Sequence, residues 1–171
     1  GASGVGETDF NKTRLIQGGA SDTPLNGNGE RQAQALASRL SKEPLRAIYC
    51  SPLQRAVHTA RAIAAGHHLE VHIEPYFREL NVGGLEGVAV SAIAEQVNKL
   101  MGPDRPLGAP LARDYRDAFA SLPYIGGEST TDLQQRAWGA LQNIVKEHPD
   151  GTIAVVSHQF VILSIICAVI G

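Results

Sequence analysis

Cysteine, basic runs and long apolar stretches are all scarce in this sequence of 171 residues, and each scarcity excludes something. Two cysteines occur, Cys50 and Cys167, both in apolar segments that read as buried and neither in a CxxC pair. A disulfide or structural zinc framework is therefore not expected, and a reducing cytoplasm is the expected setting. No basic run exceeds two residues and the formal net charge is -2, so nothing favours a nucleic acid or a membrane surface as partner. The opening GASGVGETDF has neither a basic nor an apolar region and is not expected to act as a signal peptide. Residues 160–170 are strongly apolar but amount to about half of the ~20 residues a membrane helix needs, so they read as a core helix. His67, His68 and His72 have no carboxylate or thiol at ligand spacing, and no metal is expected there. No internal repeat or low-complexity tract is present.

What the chain does contain is an alternation of apolar runs and amphipathic stripes. Residues 1–27 are rich in Gly, Ser, Asn, Thr and Asp and read as a long loop, a feature that is usually functional at such length. Ala33, Leu36, Ala37 and Leu40 mark one face of a helix over 28–42. Ala47, Ile48, Tyr49 and Cys50 form a buried strand, followed by a turn at Pro52 and a helix over 53–65 with Gly66 as its C-cap. A short strand at 71–73 and an irregular acidic loop over 79–87 follow. Helices are expected over 89–101 and around 112–122, separated by the Pro/Gly-rich GPDRPLGAP, as a small cap at about 88–125 that would act as a lid or select substrate. Ser129 and Asp132 resemble a capping box for a helix to His148 with Leu133, Ala137, Leu141 and Ile144 on its apolar face. Residues 152–157 read as a parallel strand buried on both faces, with His158 at its carboxyl end and a helix after it. The pattern predicts one α/β domain over 1–171, a three-layer sandwich with a mostly parallel central sheet flanked by helices.

In such sheets ligands bind at the carboxyl ends of the strands, where both Arg55 and His158 fall. Arg55 lies in the first turn of its helix. The free N–H groups and positive dipole end there, together with a guanidinium, suit an anion, above all a phosphate. His58, one turn on, is placed to line the same pocket. Cys50 reads as a small core residue.

Six pieces, GETDFN (6–11), RLIQGGASDTPLN (14–26), SPLQRAVHTA (51–60), ELNVGGLEG (79–87), GGES (126–129) and VVSHQ (155–159), resemble in order and spacing the histidine phosphatase superfamily, which includes cofactor-dependent phosphoglycerate mutases and α-ribazole phosphatases. The resemblance implies a phosphoglycerate mutase-like fold and hydrolysis of a small phosphorylated metabolite through a phosphohistidine, with no metal or other cofactor. It implies that Arg55 and His158 hold the phosphoryl oxygens and that Glu79 protonates the leaving oxygen and then activates water. It further implies substrate contacts from Thr8, Asn11, Arg14, Gln17, Gly18 and Gln159. Glu86, in the LEG triplet, has the bearing of a structural residue. The short insertion between Gly87 and Gly126 favours a phosphatase over a mutase, and a homodimer is compatible with the sequence.

One departure stands against these matches. Where the family has Arg-His ahead of Gly-Glu-Thr, this chain has Gly4 and Val5, and valine cannot be phosphorylated. The apolar strand that precedes the motif in the family and the segment that follows residue 171 are both expected to be missing. A short leader in place of the native first strand is the favoured account. A pseudophosphatase that binds phosphorylated ligands without turnover is the alternative, followed by a nucleophile from elsewhere, such as His58.

Overall fold

The computed structural model describes residues 6–103, 105, 106, 109 and 111–170, apart from the side chains of 115 and 116. Gly4 and Val5, where the expected nucleophile position falls, lie outside these residues.

The predicted long loop contains one short helix, α1 (Asp9–Thr13). Helix α2 (Gly27–Leu40) begins where Asn26 accepts the N–H groups of Asn28 and Gly29 through Oδ1, satisfying donors that a helix start leaves free. Gly29 is required there for space, since a Cβ would stand 2.1 Å from the Glu7 carbonyl oxygen. Strand β1 (Leu45–Cys50), helix α3 (Gln54–Ala65) and strand β2 (Val71–Ile73) follow as expected. The insertion forms α4 (Ile93–Met101) and α5 (Tyr115–Ala120), the latter shorter than expected because Pro123 falls in the 3-10 turn Leu122–Ile125 that replaces its end. Helix α6 (Thr130–Glu147), capped by Ser129 through the Asp132 N–H, leads to β3 (Thr152–Val156) and α7 (Gln159–Ile170).

The three strands are parallel in the order β2-β1-β3, with Ile48 opposite Val71 on one side and Ala154 on the other. Their side chains alternate between two apolar layers, as the strand period of two requires. Ile48, Cys50, Ala154 and Val156 pack with Ala60 and Ile63 of α3 and with Leu36 and Leu40 of α2. Tyr49, Ile153 and Val155 face the other way, toward Leu133, Ala137 and Ile144 of α6. Burial pushes the Cys50 thiol up to about 11, so it packs as a small apolar residue rather than as a thiolate. Ile93 and Val97 of α4, Ala118 of α5 and Leu122 belong to the same buried cluster as Leu133 and Ala137, which seats the insertion on the core.

The carboxyl-terminal third departs from expectation. Strand β3 is half-buried rather than enclosed on both faces, because among the described residues only β1 pairs with it and its outer edge has no neighbour. Helix α7 is apolar on all sides, so its sequence could not say which side meets the core. Only Val161 is fully enclosed, whereas Ile162, Leu163, Ile166 and Cys167 are exposed. The expectations of a buried Cys167 and a wholly buried core helix are corrected accordingly. No helix among the described residues is long and apolar enough to cross a membrane.

A charged clamp joins α6 to the loop that ends in Asn81. Arg136 Nε donates to Glu128 Oε1 at 2.6 Å and Nη2 to Oε2 at 2.9 Å, a two-pronged pair with little exposure. The same guanidinium donates to the carbonyls of Tyr76 and Glu79, and Glu128 accepts the Asn81 N–H. Removing one partner strands the other charge in a poorly hydrated place, which typically costs several kcal/mol. Arg136→Ala is expected to lower unfolding free energy by roughly 3 kcal/mol. A urea titration reads this as an early midpoint, and a midpoint within error of wild type would refute the role.

Candidate functional site

The segment Gly6 to Thr8 is strapped to α2. Gln32 Oε1 accepts the N–H groups of Gly6 at 2.9 Å and Glu7 at 3.0 Å, while the Glu7 carboxylate accepts from the amides of Asn26 and Asn28. Those two amides hold the Glu7 carboxyl below its ordinary pKa. Thr8 is fully buried, its N–H goes to Asn11 Oδ1 at 2.9 Å, and its hydroxyl lies within hydrogen-bond reach of Asn11 Oδ1 and Gln17 Oε1.

At the carboxyl end of β1 the chain turns into α3, and Arg55 enters in the first helical turn as expected. Its buried guanidinium donates to the carbonyls of Ser21 at 2.7 Å and Gly18 at 3.4 Å. Burial lowers its pKa from the ordinary value, against the opposing charges of Glu79, Asp22 and Glu86. A guanidinium offers more donors than two carbonyls consume, so capacity for an anion is left. One N–H of the helix start is already taken, because Asp22 Oδ1 accepts that of Gln54 at 2.7 Å. The free N–H groups expected at this helix start are thereby reduced by one.

Glu79 and His158 approach from the other side. Glu79 is 6% exposed and accepts the N–H groups of Leu80 at 2.8 Å and Phe160 at 3.4 Å, which ties it to the start of α7 just after His158. Burial raises its pKa, outweighing those N–H groups and the charges of Arg55 and Arg136. His158 Nε2 lies 2.6 Å from Ser51 Oγ at the end of β1. Burial, helped by the positive charges of Arg55, Arg78 and Arg136, pushes its pKa down to about 3, so the imidazole is neutral at pH 7.

This depression makes stability depend on pH. Between the ordinary 6.5 and the folded value of about 3, the unfolded chain takes up a proton that the folded chain refuses. Stability is then fully present above 6.5 and is lost as pH falls through that window, by about 1.4 kcal/mol per unit. Glu79, with its raised pKa, has the opposite sign: its contribution is present below the ordinary 4.5 and is lost as pH rises through the folded value. Comparing wild type with His158→Gln isolates the histidine. The variant is expected to lose stability less steeply between pH 6.5 and 4 in urea titrations, and parallel curves would refute it.

One cavity of about 750 Å³ has Arg55, Glu79, His158, Asn11, Gln17 and Gln159 in its polar part and runs on over an apolar part formed by Leu36, Leu40, Ile63, Ala154, Val156 and Leu163. Phe119 of α5 also lines it and stacks on Phe160, with ring centroids 4.9 Å apart, so the insertion contributes directly to its wall. Other expected contacts fall elsewhere. Thr8 supports Asn11 and Gln17 from behind, Arg14 is exposed at the end of α1, and the Gly18 N–H is spent on Glu86 at 3.0 Å. His58 is exposed and does not line the cavity. Sequence reasoning missed Ser51 as the partner of His158 and Asp22 as the cap of α3. Serine just after a strand and before Pro52 was the available signal for the first, while nothing local announced the second. Among the described residues no three His, Cys, Asp or Glu side chains gather where a metal ion could sit.

The chain is 32% identical to phosphoserine phosphatase 1 of Hydrogenobacter thermophilus over 165 residues, covering 96% of this chain and 72% of that protein. It is likewise 32% identical to a probable phosphoglycerate mutase GpmB of Serratia proteamaculans, covering 97% of this chain and 72% of the relative. Among solved structures, Bacillus stearothermophilus YhfR superposes with a TM-score of 0.76 at 32% identity, over 96% of this chain and 75% of that one. A mycobacterial glucosyl-3-phosphoglycerate phosphatase does so with a TM-score of 0.77 at 27% identity, over 96% and 75%. The family model of the histidine phosphatase superfamily, branch 1, matches residues 6–171, and the chain belongs to that superfamily.

Proposed function

We propose that the cavity handles the phosphoryl group of a small phosphorylated metabolite and that the site is built for phosphomonoester hydrolysis through a phosphohistidine. The observation that carries this reading is the convergence of Arg55, Glu79 and His158 on one cavity at the carboxyl ends of β1 and β3. Arg55 supplies positive charge to the phosphoryl oxygens, and His158, held by Ser51, supplies a fixed donor. Glu79, whose pKa burial raises, is the acid placed to give a proton to the leaving alkoxide, and the carboxylate left behind takes one from the attacking water. Phe119 and its neighbours in the 88–125 cap narrow the choice of alcohol. The chemistry needs no metal, and the proposed setting is the cytoplasm.

Val5 supports a second reading for the chain with this sequence. The family's attacking histidine corresponds to position 5, and a valine there leaves a site that binds phosphorylated ligands without cleaving them. Incubation with phosphoserine, 3-phosphoglycerate and p-nitrophenyl phosphate, followed by 31P NMR, separates the outcomes. Release of inorganic phosphate supports hydrolysis, movement of the phosphoryl group to a second hydroxyl supports a mutase, and binding of unchanged ester supports the second reading. No interaction with any of the three would contradict both.

A further inference from the structure

Glu86 holds one short segment from a distant part of the chain through three hydrogen bonds. Its Oε2 accepts the Gly18 N–H at 3.0 Å and the Ser21 hydroxyl, and its Oε1 accepts the Ala20 N–H at 2.9 Å. Carbonyls of the same segment serve two arginines: Gly18 and Ser21 accept from Arg55, which lines the cavity, and Gly19 accepts from Arg78. The Gly18 and Ala20 N–H groups are thus drawn to a negative charge while the Gly18, Gly19 and Ser21 carbonyls are presented to positive ones. One peptide carries both kinds of contact, since the Gly19 carbonyl accepts from Arg78 while the Ala20 N–H of the same peptide donates to Glu86, and each bond polarises that peptide for the other.

The approach of Glu86 is close enough to dictate a residue type. A Cβ on Gly18 would stand 2.6 Å from Glu86 Oε1, 2.6 Å from Val82 Cγ2 and 2.8 Å from the Leu80 carbonyl. The backbone around it is pinned too, since Gly19 N–H donates to Leu80 and Ile16 N–H to Val88.

We propose that Glu86 is a positioning residue of the phosphoryl site: its carboxylate sets the Gly18–Ser21 segment, whose carbonyls aim the Arg55 guanidinium into the cavity. This rests on the reading of Arg55 as the phosphoryl ligand. An arginine side chain has much rotamer freedom to lose, and a guanidinium held beforehand binds an oxyanion without losing it at that moment. Glu86 also lies within Coulombic reach of Arg55 and favours its charged form.

The test is a double-mutant cycle on the full chain, with Glu86→Gln and Arg55→Lys read by calorimetric titration with orthovanadate. Thermal melts accompany each variant. Glu86→Gln is expected to weaken binding by about 10-fold, and Arg55→Lys to cost at least about 5-fold less in the Glu86→Gln background than in wild type. Ser21→Ala removes one of the three contacts with less risk to folding and is expected to show a smaller loss with the same non-additivity. A purely structural Glu86 would lower the melting temperature while leaving the Arg55→Lys penalty unchanged, and additive penalties overturn the proposal. Wild type that fails to bind orthovanadate overturns the phosphoryl reading and this proposal together, whereas binding with an additive cycle overturns this proposal alone.

Discussion

Arg55→Ala is expected to weaken orthovanadate or phosphate binding by on the order of 10³-fold while the protein stays folded. The guanidinium is the charged donor held deepest in the cavity wall, 8% exposed and fixed by two carbonyls from the 18–21 segment. A donor held in place in a site of low dielectric is worth far more than one in water, and an alanine leaves the anion with neutral His158 and backbone donors. The fold is expected to tolerate the change, because the burial that depresses the Arg55 pKa is itself a cost that the substitution removes. Against that gain stand two carbonyls left without a donor, at roughly 1–3 kcal/mol each if no water reaches them. A calorimetric titration with a parallel thermal melt distinguishes loss of the site from loss of the fold. Binding within a few-fold of wild type would remove Arg55 from the account.

The second large effect concerns position 5. The double substitution Gly4→Arg with Val5→His supplies the two groups that the family resemblance puts ahead of Gly6-Glu7-Thr8. It is expected to raise phosphate release from p-nitrophenyl phosphate by at least about 10⁴-fold over the chain with Val5, the order that removal of a nucleophile costs in other enzymes. An imidazole nucleophile suits neutral pH because its neutral form carries a lone pair, and the phosphoryl bond it forms is acid-labile. Rapid quenching in alkali and in acid should show the label retained in the first and lost in the second. Equal rates with and without the histidine would assign the attack to another group. In that event the division of labour between Arg55, His158 and Glu79 would need to be redrawn.

How much of this was legible in the sequence depended on how locally each feature is encoded. The β1–α3 turn, with Arg55 directly after a strand, and His158 directly after Val155-Val156-Ser157 were readable because strand, turn and site residue are contiguous. So was the burial of the strand that holds Ala47, Ile48 and Cys50. What escaped reading are the contacts that bridge long separations. Asp22 caps α3 from 32 residues away, Glu86 reaches back 68 residues to Gly18, and Ser51 meets His158 across 107. Asp22 and Ser51 look like ordinary polar side chains in their own neighbourhoods, and Glu86 reads as structural without any sign of which segment it holds. Helix α7 failed for a different reason: with apolar residues on every side it has no stripe to read, so which side would be enclosed depended on what β3 and α6 present to it.

The central claim is that Arg55, Glu79 and His158 form one phosphoryl site. A crystal structure of the full chain grown with orthovanadate tests it most directly. The account predicts vanadium in the cavity, with its oxygens within hydrogen-bond distance of the Arg55 guanidinium and the His158 imidazole and the Glu79 carboxyl on the side where a leaving oxygen would depart. Vanadate bound elsewhere on the protein, or a cavity that stays free of it at saturating concentration, would contradict it.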